Sequence, residues 1–167
     1  INIGSNLNSS QGDRLFNLRK TIELIAVKKI KIIKISNIYE TPSYPNDKNP
    51  KFLNICLSIK SKEKPETLIN MFKIIEKKLL RKRGIRNQPR TCDIDIIDYY
   101  GKIITSDKII VPHPRAHLRN FVLYPLKEIA PEWLHPRLNK KIDFLIKKLN
   151  FKLRNEITRL NESVIIE

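Results

Sequence analysis

Arg81-Lys82-Arg83-Gly84-Ile85-Arg86-Asn87-Gln88-Pro89-Arg90-Thr91-Cys92-Asp93-Ile94-Asp95 packs four arginines and two alternating aspartates into fifteen residues. Asp93 and Asp95 flank Ile94, and Ile96 and Ile97 continue the apolar run, an alternation that predicts a strand with one buried face. The two carboxylates then share a side, roughly 6.5–7 Å apart. That spacing suits metal ions bridging a polyphosphate, while Ile94 and Ile96 point into the core.

Oxygen ligands with no His or Cys beside them favour Mg²⁺ over zinc, because Mg²⁺ is usually held by one or two carboxylates together with substrate phosphates. Arg81, Arg83, Arg86 and Arg90 carry planar forks that hold phosphate oxygens bidentately, on a loop with Gly84 and Pro89 that can be brought onto a ligand. The stretch reads as a phosphoryl-type transfer site. The competing reading is an Asp-x-Asp strand whose acids only pair with neighbouring arginines.

Working outward, Ile1–Ile3 reads as a first strand and Gly4-Ser5-Asn6-Leu7 as the turn leaving it. Residues 12–27 carry apolar residues at Leu15, Leu18, Ile22 and Ile25, a helical stripe with Asp13 at its positive end. Residues 30–39 alternate as a strand. Residues 40–51 hold Pro42, Pro45 and Pro50 and predict a long loop. Residues 52–60 resume a strand with Phe52, Asn54, Cys56 and Ser58 on its mixed face; Pro65 then opens a helix through Leu68, Met71, Phe72, Ile75 and Leu79. That helix delivers Arg81, a strand over 93–100 follows, and residues 102–105 are expected to pair with it in a hairpin. The order predicts an α+β, ferredoxin-like βαββαβ plan, an antiparallel sheet with helices on one face. Residues 121–129 are expected to be helical in part, and about 140–167 to form a C-terminal helical extension and tail of one domain spanning 1–167.

The chain has 167 residues, 41% of them hydrophobic, enough for one core. No apolar run is long enough to span a bilayer and no signal-like segment is evident, so a soluble, cytoplasmic and monomeric protein is expected. Ile1 already enters a strand-like run, which suggests that residues precede it. Cys56 and Cys92 sit in apolar runs and read as reduced, buried thiols. The net charge of +16 raises a nucleic-acid hypothesis. The lysines are spread along the chain, however, which reads as solvated surface. His113 and His117 lie among prolines, without a His-Glu-x-x-His order, so zinc is not expected.

Asn87-Gln88-Pro89-Arg90-Thr91-Cys92-Asp93-Ile94-Asp95-Ile96-Ile97 resembles the Pro-Arg-Thr-x-Asp-x-Asp hallmark of the 6-hydroxymethyl-7,8-dihydropterin pyrophosphokinase family. In the family's order stand also Ile3-Gly4-Ser5-Asn6-Leu7, Tyr39-Glu40-Thr41-Pro42, Phe52-Leu53-Asn54 and the run from Val111 to Leu126, so the resemblance covers about residues 1–136. It implies that Asp93 and Asp95 bind two Mg²⁺ ions clamping ATP and that Arg81 and Arg90 serve phosphate binding and transfer. It further implies that Glu76, Arg83, Ile96, His113 and Arg119 line the ATP site. Phe52 and Phe121 would sandwich the pterin, Asn54 would hydrogen-bond its amide edge, and Thr41, Pro42 and Tyr44 would close the pocket. The implied reaction moves a diphosphate from ATP to the pterin's hydroxymethyl group in folate biosynthesis and releases AMP. Leu80, Lys73 and Asn87-Gln88 depart from the family pattern, Leu80 standing where a glycine is usual. An alternative is a basic ferredoxin-like RNA-binding module, which needs exposed aromatics on adjacent central strands.

Overall fold

The computed structural model describes residues 1–28, 30–82, 88–162 and 164. Its sheet is laid along β4, Phe52–Lys60. Strand β1, Asn2–Ser5, pairs with one edge of β4, and β5, Asp93–Asp95, pairs with the far edge of β1. On the other edge of β4 lie β2, Lys31–Ile35, and β3, Tyr39–Thr41. Every pairing is antiparallel, and the crossovers are α1, Arg14–Ala26, and α2, Pro65–Lys78. The α+β class and antiparallel sheet expected from the sequence are adopted, with the order β1-α1-β2-β3-β4-α2-β5 in which the second expected strand is split in two.

Helix α1 starts where Asp13 caps it, Oδ1 accepting the Phe16 N–H at 2.7 Å, which satisfies one of the free amides of the first turn. Its Leu18, Ile22 and Ile25 meet Leu68, Phe72 and Ile75 of α2 over Ile3, Leu53, Ile55 and Leu57 of the sheet. Burying each such side chain contributes about 1.5–3 kcal/mol.

Four local expectations are corrected. Residues 30–39 form two strands rather than one, because Ser36 breaks the ladder: its hydroxyl accepts the Cys56 N–H at 2.9 Å and donates to Asn37 O at 2.8 Å. Strand β5 ends at Asp95 rather than near Tyr100, since the Ile97 carbonyl takes the His113 N–H at 2.9 Å instead of a partner on β1. Residues 104–105 (β6) pair with 110–111 (β7) in a separate hairpin, not with β5. Helices cover both faces of the sheet: α3, Asn120–Ile129, lies on the side opposite α1 and α2, where Val122, Leu123 and Leu126 pack with Cys56 and Ile97.

Beyond α3 a small hairpin, β8 (Leu134–His135) with β9 (Lys140–Lys141), leads into α4, Ile142–Lys148. Ile142 and Leu145 of α4 complete the second core. A short helix α5, Phe151–Asn155, and β10, Thr158–Arg159, follow, and β10 adds a strand to the outer edge of β3. The tail read from sequence as an extension therefore returns to the sheet.

Candidate active site

The C-terminus of α2 aims Arg81. Leu80 N–H bonds Lys77 O and Arg81 N–H bonds Glu76 O, both at 3.0 Å, the paired bonds that close a helix when the intervening residue is left-handed. Leu80 supplies that turn at φ 61°, a conformation glycine adopts freely and a leucine does not. The Arg81 guanidinium then folds back onto Glu76 and its Nη1 donates to Asp93 Oδ1 at 2.6 Å. Glu76 Oε1 also accepts the Ile94 N–H at 2.9 Å, tying α2 to β5.

Two parallel stacks stand on the mixed face of the sheet. Arg90 donates from Nη1 to Asp93 Oδ2 at 2.9 Å and lies 5.7 Å from the Phe52 ring centre. Arg119 donates from Nη1 to Asp95 Oδ2 at 3.1 Å and lies 5.3 Å from the Phe121 ring centre. Each aspartate thus holds an arginine that in turn covers a phenylalanine, a contact favourable by about 0.5–2 kcal/mol. His113 approaches the same Asp95 oxygen, Nε2 at 3.7 Å. Its Nδ1 accepts the Arg115 N–H at 3.1 Å, so the neutral ring carries its proton on Nε2, toward Asp95.

Between the stacks the sheet brings Asp93, Gly4 and Asn54 into one row across three strands. A Cβ on Gly4 would stand 3.1 Å from Asn54 Oδ1 and 3.5 Å from the Phe52 ring, so only glycine leaves that floor open. Asn54 is buried and donates from Nδ2 to Thr41 Oγ1 at 3.2 Å.

Burial, then the neighbouring Asp95 carboxylate, pushes Asp93 above the usual carboxylate range, against the pull of Arg90 and Arg81. Burial likewise raises Glu76. Burial works against the charge on Arg81, but Asp93 and Glu76 outweigh it and raise its pKa. Burial lowers His113 and Arg119. A cation near Asp93 and Asp95 would relieve the repulsion between them. The donor set fits Mg²⁺: two hard oxygen donors on one side of one strand, with the remaining positions left to phosphate oxygens and water. Among the described residues no three His, Cys, Asp or Glu side chains gather as a metal site.

With this geometry in view, a family model described as 7,8-dihydro-6-hydroxymethylpterin-pyrophosphokinase matches residues 1–131. The chain belongs to this family. It is 36% identical over 136 residues to the 2-amino-4-hydroxy-6-hydroxymethyldihydropteridine pyrophosphokinase of Aquifex aeolicus, a match covering 81% of this chain and 84% of that one. To the protein of the same name from Bacillus subtilis it is 38% identical over 133 residues, 79% of this chain and 77% of that one. The folic acid synthesis protein of Pneumocystis carinii is 40% identical over 137 residues, but the chain spans only 18% of that longer relative.

Of the residues the pterin pyrophosphokinase resemblance singles out, Glu76, Arg81, Asp93 and Arg90 form one contact group and Asp95, Arg119 and His113 a second, carried by the two aspartates of β5. Phe52 and Phe121 stand beneath their arginines, and Thr41 and Asn54 touch each other. Pro42 is half-buried beside them in sequence, while Tyr44 is 80% exposed. The Ile96 side chain packs in the main core. Arg83 and Arg86 lie outside the described residues. The sequence places Gly4 and Asn6 together in a turn after the first strand, whereas Gly4 lies within β1. The close approach at Gly4 had no local signal, because it depends on β1 lying between β4 and β5.

Several wider expectations can also be placed. Cys56 and Cys92 are unpaired and buried, and burial raises both thiols to about 12. Among the described residues no helix is long and apolar enough to cross a membrane. Lys28, Lys31, Lys34, Lys77, Lys78, Lys147 and Lys148 are exposed, and Lys29 lies outside the described residues. The sheet face that an RNA-binding module would use bears Asp93 and Asp95 and is partly covered by α3. The family match lends that alternative no support.

Proposed function

We propose that this chain passes a diphosphate from ATP to the hydroxymethyl oxygen of 6-hydroxymethyl-7,8-dihydropterin, releasing AMP, as a step of folate synthesis. The observation that carries the assignment of roles is the pair of Asp–Arg–Phe stacks on either side of Gly4. Asp93 and Asp95 hold the metal, and Arg81, Arg90, Arg119 and His113 meet the phosphates. Phe52, Phe121, Asn54 and Thr41 bind the pterin, with Pro42 and Tyr44 on its loop and Glu76 fixing the nucleotide side. Two Mg²⁺ ions, bound with ATP, would neutralise phosphate charge.

The division of labour follows from charge. The three arginines pair through Nη1 with the carboxylates of Glu76, Asp93 and Asp95. A polyphosphate offers the guanidiniums a competing set of oxygens, and the freed aspartates are then available to a cation. Arg90 already has a spare donor: its Nε is buried and has no hydrogen-bond partner among the described residues. An unmade buried bond of this kind costs about 1–3 kcal/mol, recovered when a phosphate oxygen arrives. Arg81, Arg90 and Arg119 orient the triphosphate, and Asn54 with the two rings orients the acceptor. The chain therefore contributes alignment and charge stabilisation rather than a covalent intermediate.

Incubation with ATP, Mg²⁺ and the hydroxymethyl-dihydropterin should yield AMP. ADP as the main nucleotide product would refute the assignment. RNA binding that is tight, and indifferent to both substrates, would favour the RNA-binding alternative.

A further inference from the structure

We infer that Asn6 is a positioning residue that couples the pterin side of the site to Arg90; the inference rests on the reading above. Asn6 is fully buried, at 0% exposure. Its Nδ2 donates to Pro50 O at 3.0 Å, at the end of the proline-rich loop over residues 42–51, and its Oδ1 accepts the Arg90 N–H at 2.7 Å. The Asn6 and Leu7 backbone N–H groups donate to Arg90 O at 3.0 and 3.1 Å. Both peptide groups flanking the Arg90 Cα are therefore gripped from residues 6 and 7, and one side-chain amide joins that grip to the loop.

The chemistry of the link allows one residue type. Pro50 presents a carbonyl and needs a donor, while Arg90 presents an N–H and needs an acceptor. An amide of this length supplies both at once. Aspartate would keep the acceptor and set a carboxylate oxygen against the Pro50 carbonyl. Serine is shorter and carries a single polar atom.

The loop that Asn6 reaches is held from its other side as well. Arg14 Nη1 donates to Lys51 O at 2.6 Å and pairs with Glu40 at 3.2 Å, and Glu40 pairs with Lys51 at 3.3 Å. Residues 50 and 51 are thus fixed to β3, to α1 and through Asn6 to Arg90, and Arg90 in turn covers Phe52, two residues on. A pterin settling between Phe52 and Phe121, with the 42–51 loop closing over it, would shift Pro50, and the Asn6 amide would pass that shift to the Arg90 backbone. Arg90 also carries the unpartnered Nε assigned above to phosphate. The site so wired lets the acceptor substrate tune the donor's arginine.

The test compares wild type with Asn6→Asp, measuring turnover, KM for each substrate, and the factor by which an unreactive pterin analogue tightens binding of a non-hydrolysable ATP analogue. Coupling between two ligands is typically about 5- to 150-fold. In Asn6→Asp the tightening should fall toward none, kcat should drop by about tenfold, and nucleotide affinity without pterin should stay within about twofold, since the acceptor for Arg90 remains. Tightening and kcat equal to wild type would overturn the inference, as would a variant that loses only thermal stability. Should Asn6→Asp not fold, hydrogen exchange on wild type decides: the Arg90 amide should gain protection when pterin alone is added. No change at that amide would overturn the coupling. Wild type that makes no AMP would remove the functional reading and this inference together, whereas active wild type with an indifferent Asn6→Asp removes only the inference.

Discussion

Arg81 and Arg90 converge on one carboxylate, Arg81 on Asp93 Oδ1 at 2.6 Å and Arg90 on Asp93 Oδ2 at 2.9 Å. Asp93 therefore has an arginine on each of its oxygens, whereas Asp95 takes one arginine, at Oδ2. The two aspartates should separate by mutation. Asp95→Ala is expected to keep the fold and lose on the order of a hundredfold or more in AMP formation. Asp93→Ala should lose comparable activity and also melt lower, because it leaves the half-buried Arg90 guanidinium without its carboxylate, while Arg81 keeps Glu76. Steady-state assays with parallel melting curves make the comparison.

His113 gives a pH prediction with a defined sign. Burial lowers its pKa from 6.5, so on acidification the unfolded chain takes up the proton first. The stability contributed by the neutral ring is complete above pH 6.5 and is lost as pH falls through the lower folded-state pKa. His135 shifts the same way, so the wild-type slope alone does not isolate His113. His113→Gln should melt with a shallower decline than wild type from about pH 7 to about pH 5. Parallel slopes would remove His113 from the acid response.

Gly4→Ala tests the floor between the substrates. The added methyl group must displace Asn54 Oδ1, 3.1 Å away, by a few tenths of an ångström, while the Phe52 ring at 3.5 Å stays in ordinary contact. Since a misplacement of about 1 Å can cost about a hundredfold, the pterin KM should rise by roughly fivefold while the ATP KM hardly moves. An effect confined to ATP would contradict the placement of Asn54.

Leu80→Gly should stabilise the protein. A left-handed leucine costs about 1–2 kcal/mol, while glycine's extra freedom in the unfolded chain costs roughly 0.5–1 kcal/mol. The Leu80 side chain is 46% exposed, so little packing is lost with it. A net gain of about 0.5–1 kcal/mol should appear as a melting temperature higher by a few degrees.

Much of this was legible in residue order. Asp13 before an apolar stripe marked α1, Pro65 opened α2, and Asp93-x-Asp95 placed both acids on one face of β5. Failures fell where distant contacts override local pattern. Ser36 ends β2 by bonding Cys56, twenty residues ahead, and β5 stops because the Ile97 carbonyl bonds His113. Cys56 sat on a face that looked mixed; it is buried because α3 covers it. Nothing near Thr158 and Arg159 announces their partners Tyr39 and Glu40, more than a hundred residues earlier. In the site, residue types named the chemistry, but which arginine meets which aspartate depended on the fold.

The row Asn54–Gly4–Asp93 has a consequence for how such a protein can change. Neighbouring strands lie about 4.7–4.9 Å apart, so acceptor and donor stations sit two such steps from each other, roughly 10 Å. Backbone ladders set that gauge, and side-chain substitution cannot lengthen or shorten it. Drift in which pterin or nucleotide is accepted is thereby confined to the loops at either end, while the track between them keeps its width.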